Sequence, residues 1–323
     1  MRRGLRLACA IFLAARLLAA ADDPLLTAER QFEVGKYREA ITTLRAALSQ
    51  SPQDARLHFW LARSHFELRE LDNAVSSAER AVQLAPQNSD YHYWLGRAYG
   101  DKADRERSFS LARKTKREFE EAVRLNPANI PARRALAEYY ADAPWIVGGG
   151  KDKAREQIAA IENLDPVEAH LARADYWRSE NKPDQAEAEY RHVLELKPSR
   201  VDPYLEVADF FRNRNARAQM EAAVAAAARV APADPRLSYY RGVLHVMTRD
   251  DLPKAEELLL SYLSAVPERT DYPSHASAHA WLGRVYELQG KREQAAEQFR
   301  AALRLDPRHR GALDGLKRVE PRR

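Results

Sequence analysis

An internal repeat constrains this chain more than any other feature. Within Ala276 to Pro307, the segment WLGRVYELQGKREQAAEQFRAALRLDP places Trp281, Leu282, Gly283 and Tyr286 at helical spacing. Gly290 follows as a turn, and Ala295, Phe299, Ala302 and Leu305 resume the spacing. One helical hairpin is predicted. The segment GKYREAITTLRAALSQSP repeats its second half, with Gly35, Ala40, Leu44, Ala47 and Pro52 at the offsets of Gly290, Ala295, Phe299, Ala302 and Pro307. Such a hairpin cannot bury its apolar face alone, so an array of them buries a core only between neighbours.

These positions resemble the tetratricopeptide repeat, a unit of about 34 residues with aromatic, Leu, Gly, Tyr, Ala, Phe, Ala and Pro at fixed places. The resemblance implies an all-α fold, a right-handed α-solenoid of about eight helix-turn-helix repeats with a C-terminal capping helix. Small residues at positions 8 and 20 allow the two helices to cross closely. Larger ones at 7, 11 and 24 fill the gaps, and proline at 32 ends the second helix because it lacks an N–H. The repeats fall at 22–54, 55–88, 89–127, 128–166, 167–198, 199–232, 233–267 and 268–307, with the cap at 308–320. Length by itself suggests two globular domains, but stacked repeats make 22–323 one array.

Residues 1–21, MRRGLRLACAIFLAARLLAAA, have a basic start, an apolar run too short to span a bilayer and small residues before Asp22. They predict a cleaved signal peptide and an exported, periplasmic or cell-envelope protein. The single cysteine, Cys9, lies inside this segment, so the mature chain would contain no disulfide. Cleavage removes four arginines, taking Lys+Arg from 52 to 48 against 47 acids. A formal charge near +1 gives little support to general binding of nucleic acid or anionic membrane.

Two departures from the repeat stand out. Pro127 lies seven residues late relative to Pro86, close to two helical turns, so the third hairpin can lengthen without rotating its apolar faces far. The added stretch, Asp101 to Arg117, carries seven Lys or Arg against three acids, and reads either as a solvated hairpin tip or as an anionic docking site. The fourth repeat is split by APWIVGGGKDK. This is no nucleotide P-loop, because Trp145 replaces the first glycine and Asp152 follows Lys151 where Ser or Thr should stand. Gly148, Gly149 and Gly150, with Lys151 and Lys153, can form an anion-binding nest at a helix start. Alternatively, Trp145, Ile146 and Val147 fold back while the glycines supply a sharp turn.

No nucleophile elbow, HExxH motif or cofactor fingerprint occurs, so neither an enzyme nor a cofactor is expected. His58, His92, His170 and His279 share position 4 of their repeats, which points to a shared packing role. His275 and His279 are four apart but lack a third ligand, and no metal is expected. What the resemblance implies is a scaffold that binds protein or peptide partners, through first-helix positions 2, 5, 9, 12 and 13. On this chain these are Arg56, Phe59, Arg63 and Phe66, then Asp90, Tyr93 and Arg97. Glu138, Asp175 and Asp209 occupy position 9 farther along, which predicts a groove more acidic at that end. The residues of a chaperone-tail carboxylate clamp are absent: Leu25 and Glu29, Phe59 and Arg63, or Tyr93 and Arg97 stand where Lys and Asn are required. The alternative function is a small-ligand or anion-binding module at loop 144–153.

Overall fold

Short polar residues start the helices. Asp54 accepts the backbone N–H of Arg56 at 2.9 Å, Asn88 that of Asp90 at 3.0 Å, and Asp165 that of Val167 at 2.9 Å, each satisfying an N–H that has no partner within its helix. The computed structural model describes residues 23–320, and the expected leader lies outside the described residues. Every described helix is an α-helix except one short 3-10 turn, Trp145–Val147, and no strand occurs among the described residues. The fold is all-α, a series of helical hairpins of the solenoid class.

The chain divides into two compact units, the first reaching Leu136 and including 144–148, the second comprising 137–143 and 149–323. In the first unit α1 (Pro24–Glu33) pairs with α2 (Tyr37–Gln50), α3 (Ala55–Glu67) with α4 (Leu71–Leu84), and α5 (Ser89–Glu106) with α6 (Phe109–Leu125). The seven-residue insertion lengthens both arms of the third hairpin: α5 has 18 residues and α6 has 17, against 13 and 14 in α3 and α4. Close crossing needs Gly96, because a Cβ there would come within 2.5 Å of the Phe119 ring.

α7 (Ile130–Asp142) is followed in the second unit by α8 (Lys151–Glu162), α9 (Pro166–Ser179), α10 (Pro183–Leu196), α11 (Asp202–Asn213) and α12 (Arg217–Val230). Then come α13 (Arg236–Thr248), α14 (Leu252–Ala265), α15 (His275–Leu288), α16 (Arg292–Leu305) and α17 (Arg310–Val319). Pro166 departs from its expected role. It opens α9 instead of closing α8, since a residue without an N–H is tolerated at the first helical position. The connection 266–274 before α15 is pinned: the Tyr272 ring has the guanidinium groups of Arg236 and Arg269 at 4.8 and 4.9 Å, and Tyr262 Oη donates to the Pro273 carbonyl.

In α17 the inward face is Ala312, Gly315 and Val319, while Leu313 is partly exposed. The small residues are required because Phe299 fills the space between Gly283 and Gly315. Hairpin turns use the left-handed conformation at Gly35 and Gly290, as expected, but also at Arg69, Arg107, Asn181, Asn215 and Arg249, with φ between 53° and 58°.

Candidate partner-binding face

The first helices of the second and third hairpins, α3 and α5, carry a stack of rings and guanidinium groups. Arg63 lies 4.3 Å from the Trp60 ring centre, 4.7 Å from Trp94 and 4.6 Å from Phe32. Arg97 lies 4.4 Å from the same Trp94 and 4.9 Å from Phe66. One indole therefore serves two arginines. Phe59 stacks on Tyr91 at 4.7 Å with an interplanar angle of 27°, which extends the ring array between the two helices. Cation–π contacts of this kind are worth about 0.5–2 kcal/mol each, more where water is excluded.

The expected contact residues meet different fates. Phe59, Arg63, Tyr93 and Arg97 are half-buried and part of the array. Phe66 is not available to a partner: it is 2% exposed, edge-on to Trp94 at 5.7 Å, and supports the stack from below. Arg56 is exposed but pairs with Asp54, its own helix cap, at 2.7 Å, and the bond holds the Asp54 carboxyl below its ordinary range. Asp90 accepts from Asn129 Nδ2 at 2.9 Å. Sequence reasoning missed Trp60, Trp94, Phe32 and Tyr91. The signal was present: Trp60-Leu-Ala-Arg63 and Trp94-Leu-Gly-Arg97 recur one repeat apart, and i, i+3 spacing puts each Trp beside its Arg.

In the second unit the predicted acidity is largely neutralised. Asp175 pairs with Arg178 at 3.2 Å, and Asp209 pairs with Arg212 at 3.0 Å while accepting from Tyr240 Oη at 3.0 Å. An Asp and an Arg three apart on a helix neutralise one another locally. Much of the basic stretch Asp101 to Arg117 is likewise engaged: Lys102 bonds Asp72, Arg105 lies 3.5 Å from the same carboxylate, and Arg117 lies 3.0 Å from Glu118.

The glycine loop does not offer three successive free N–H groups. Gly148, at φ 97°, donates to the Trp145 carbonyl at 2.9 Å, and Gly150 donates to the Tyr140 carbonyl at 2.8 Å. Lys151 pairs with Glu180 at 2.6 Å, and Lys153 lies 5.4 Å from the Tyr140 ring. Of the apolar trio only Val147 folds back, at 2% exposure.

The position-4 histidines do share a packing role. His92, His170 and His279 each turn Nδ1 to the second helix of their hairpin, meeting Glu118, Glu189 and Gln298 at 2.6–2.7 Å. His58 and His92 also reach the Pro52 and Pro86 carbonyls of the preceding repeats with Nε2, at 3.0 and 3.1 Å. Burial opposes charge on His92, but its bonds to Glu118 and Pro86 prevail and raise its pKa. His275 Nε2 faces the Val266 carbonyl at 2.9 Å, so His275 and His279 serve separate partners. Among the described residues no cluster of three or more His, Cys, Asp or Glu is arranged to hold a metal.

Tetratricopeptide repeat family models match residues 25–89, 212–270 and 276–309. The chain carries tetratricopeptide repeats. No curated protein matches it. Among solved structures, Cut9–Hcn1 of the APC/C is 15% identical with a TM-score of 0.51, over 92% of this chain and 55% of that one, a likeness of fold. A thermophilic tetratricopeptide protein of Thermus thermophilus is 25% identical over 59% of this chain and 98% of its own, with a TM-score of 0.48. A tetratricopeptide protein from Parabacteroides merdae is 15% identical over 92% and 98%, with a TM-score of 0.46. The α3 half of the stack, Phe59, Trp60 and Arg63, falls inside the first matched segment, and the α5 half, Tyr91, Tyr93, Trp94 and Arg97, lies beyond it.

Proposed function

We propose that this chain is a non-catalytic scaffold that holds an acidic, extended segment of a protein partner against the exposed side of α3 and α5. The observation that carries this reading is the Trp60–Arg63–Trp94–Arg97 stack. Rings over the faces of a guanidinium leave its in-plane N–H groups as donors, a geometry suited to carboxylates. Among the described residues Arg97 has rings and no carboxylate beside it. The tetratricopeptide fold, which generally serves protein association, supports the same class of function. Residues 1–21 favour a place in the cell envelope.

The test uses immobilised 12-residue peptides in matched pairs, one rich in Asp and Glu with spaced aromatics, the other with Asn and Gln in their place. Acidic members should bind, weaken with salt, and lose about tenfold or more with Arg97→Ala, about 1.4 kcal/mol or more. Arg97→Lys should recover little, because an ammonium neither stacks nor forks. Equal binding of both peptide series, or binding unchanged by Arg97→Ala with the helical circular-dichroism signal intact, would sink the proposal. Fractionation and N-terminal sequencing of the mature chain test the envelope assignment: a chain beginning at Met1 in the cytosol refutes it.

A further inference from the structure

The geometry points to a second surface in the first unit, a peripheral docking site for an anionic lipid bilayer, formed by the Trp145–Ile146 tip and the start of α6. Trp145 is 84% exposed and Ile146 54%, adjacent on the same turn. Two features hold the turn: Val147 is buried, and Gly148 takes the left-handed conformation with the Lys116 side chain laid against it. A Cβ at Gly148 would meet Lys116 Nζ at 2.9 Å, so the α6 lysine lies at the base of the tip. A tryptophan held out on a braced turn with so little protein contact requires an explanation beyond packing.

Charge and spacing supply one. Along α6, Phe109, Arg113 and Lys116 are separated by four and three residues, which places them on one stripe that ends at Gly148. Phe109 is itself 57% exposed and Arg113 is exposed. No acidic residue occurs in 109–117 or in 143–151; Arg117 and Lys116 lie 3.0 and 3.8 Å from Glu118 and Glu120, which leaves Arg113 as the cation of the stripe with no carboxylate beside it among the described residues. Apolar tips flanked by cations match the acyl boundary and phosphates of an anionic bilayer, and indole prefers that interface because its ring is apolar and its N–H polar. Net charge hides this surface, because the cations are local and the excess over the whole chain is small. Docking would be peripheral: no helix among the described residues is long and apolar enough to cross a membrane.

The experiment is co-sedimentation of the mature chain with vesicles of equal phosphatidylglycerol and phosphatidylcholine, compared with phosphatidylcholine alone, with brominated lipid added to quench tryptophan. The wild-type chain should sediment with the anionic vesicles, lose binding at high salt and show quenching that Trp145→Ser removes. Trp145→Ser and Ile146→Ser should each weaken binding about tenfold. Arg113→Gln should weaken it about fivefold, the equivalent of about 1 kcal/mol for one cation near an anionic surface. Trp145 is so exposed that its replacement should leave the circular-dichroism spectrum unchanged, which separates lost binding from lost fold. The inference is overturned if the wild-type chain stays in the supernatant or if Trp145→Ser binds as well as wild type. Protection of Trp145 by a protein partner while bilayers leave it unquenched would overturn it too, and would reassign the tip to a protein interface.

Discussion

Phe299 sits between two glycines, and this allows a substitution whose sign should reverse with its background. Gly315 lies inside α17, where Gly→Ala ordinarily gains about 1 kcal/mol of helix propensity. A Cβ at Gly315 would collide with the Phe299 ring, which cannot retreat because Gly283 on α15 packs against it, with its own Cβ position 2.7 Å from Cδ1. Phe299 is 1% exposed and enclosed between Gly283 and Gly315, so the collision should cost the 1–3 kcal/mol typical of overpacking. Gly315→Ala should therefore destabilise by up to about 2 kcal/mol in the wild-type chain. In the Phe299→Leu background the collision is relieved, and the same change should stabilise by about 1 kcal/mol. The coupling between the two sites is then about 1–3 kcal/mol. Urea unfolding followed by circular dichroism and by Trp281 fluorescence would measure it, since Trp281 lies on α15 two residues from Gly283 and reports locally where a repeat array need not unfold in one step. Equal effects of Gly315→Ala in both backgrounds would refute the packing argument.

Two further predictions concern stability. Arg249 holds a left-handed conformation at φ 58°, which costs a side chain with a Cβ about 1–2 kcal/mol, so Arg249→Gly should raise stability by about 0.5–1 kcal/mol after the entropy of glycine is deducted. A lower thermal midpoint would contradict this. The buried His92–Glu118 pair should make stability depend on pH. The raised His92 pKa contributes stability that is full below its ordinary value of 6.5 and is lost as pH rises through the raised one. Burial opposes the charge of Glu118 too, but the bonds from His92 and Arg117 lower its pKa. Its contribution is full above the ordinary 4.5 and is lost as pH falls through the lowered value. The stability lost in Glu118→Gln should accordingly be largest between pH 4.5 and 6.5 and shrink towards pH 8, and a pH-independent loss would rule out the charged pair.

The hairpins could be read from the chain because each depends on local spacing that recurs: Gly290 and Gly35 mark turns, and Leu44 and Phe299 mark the residues that fill a crossing. The same spacing indicated which helices carry the candidate face. It could not say which side chains on that face touch one another. Phe66 and Phe59 look alike as apolar residues of one helix, but the third hairpin covers Phe66 with Trp94 and leaves Phe59 half-open. Similarly, the arginine three residues after Asp209 could be read from the chain, but the Tyr240 hydroxyl that donates to the same carboxylate comes from a helix 31 residues on.

By itself the sequence determined the all-α repeat, the hairpin turns, and the places where the pattern is interrupted, since these follow from periodicity and from residues with special backbone preferences. Tertiary structure alone decided the stacking of Arg63 and Arg97 around Trp94 and the engagement of the Gly148 and Gly150 amides. It also decided the exposure of Trp145 beside Lys116. These depend on which surfaces of different helices and loops meet, and a one-dimensional pattern carries each helix's apolar face but not the neighbour that covers it.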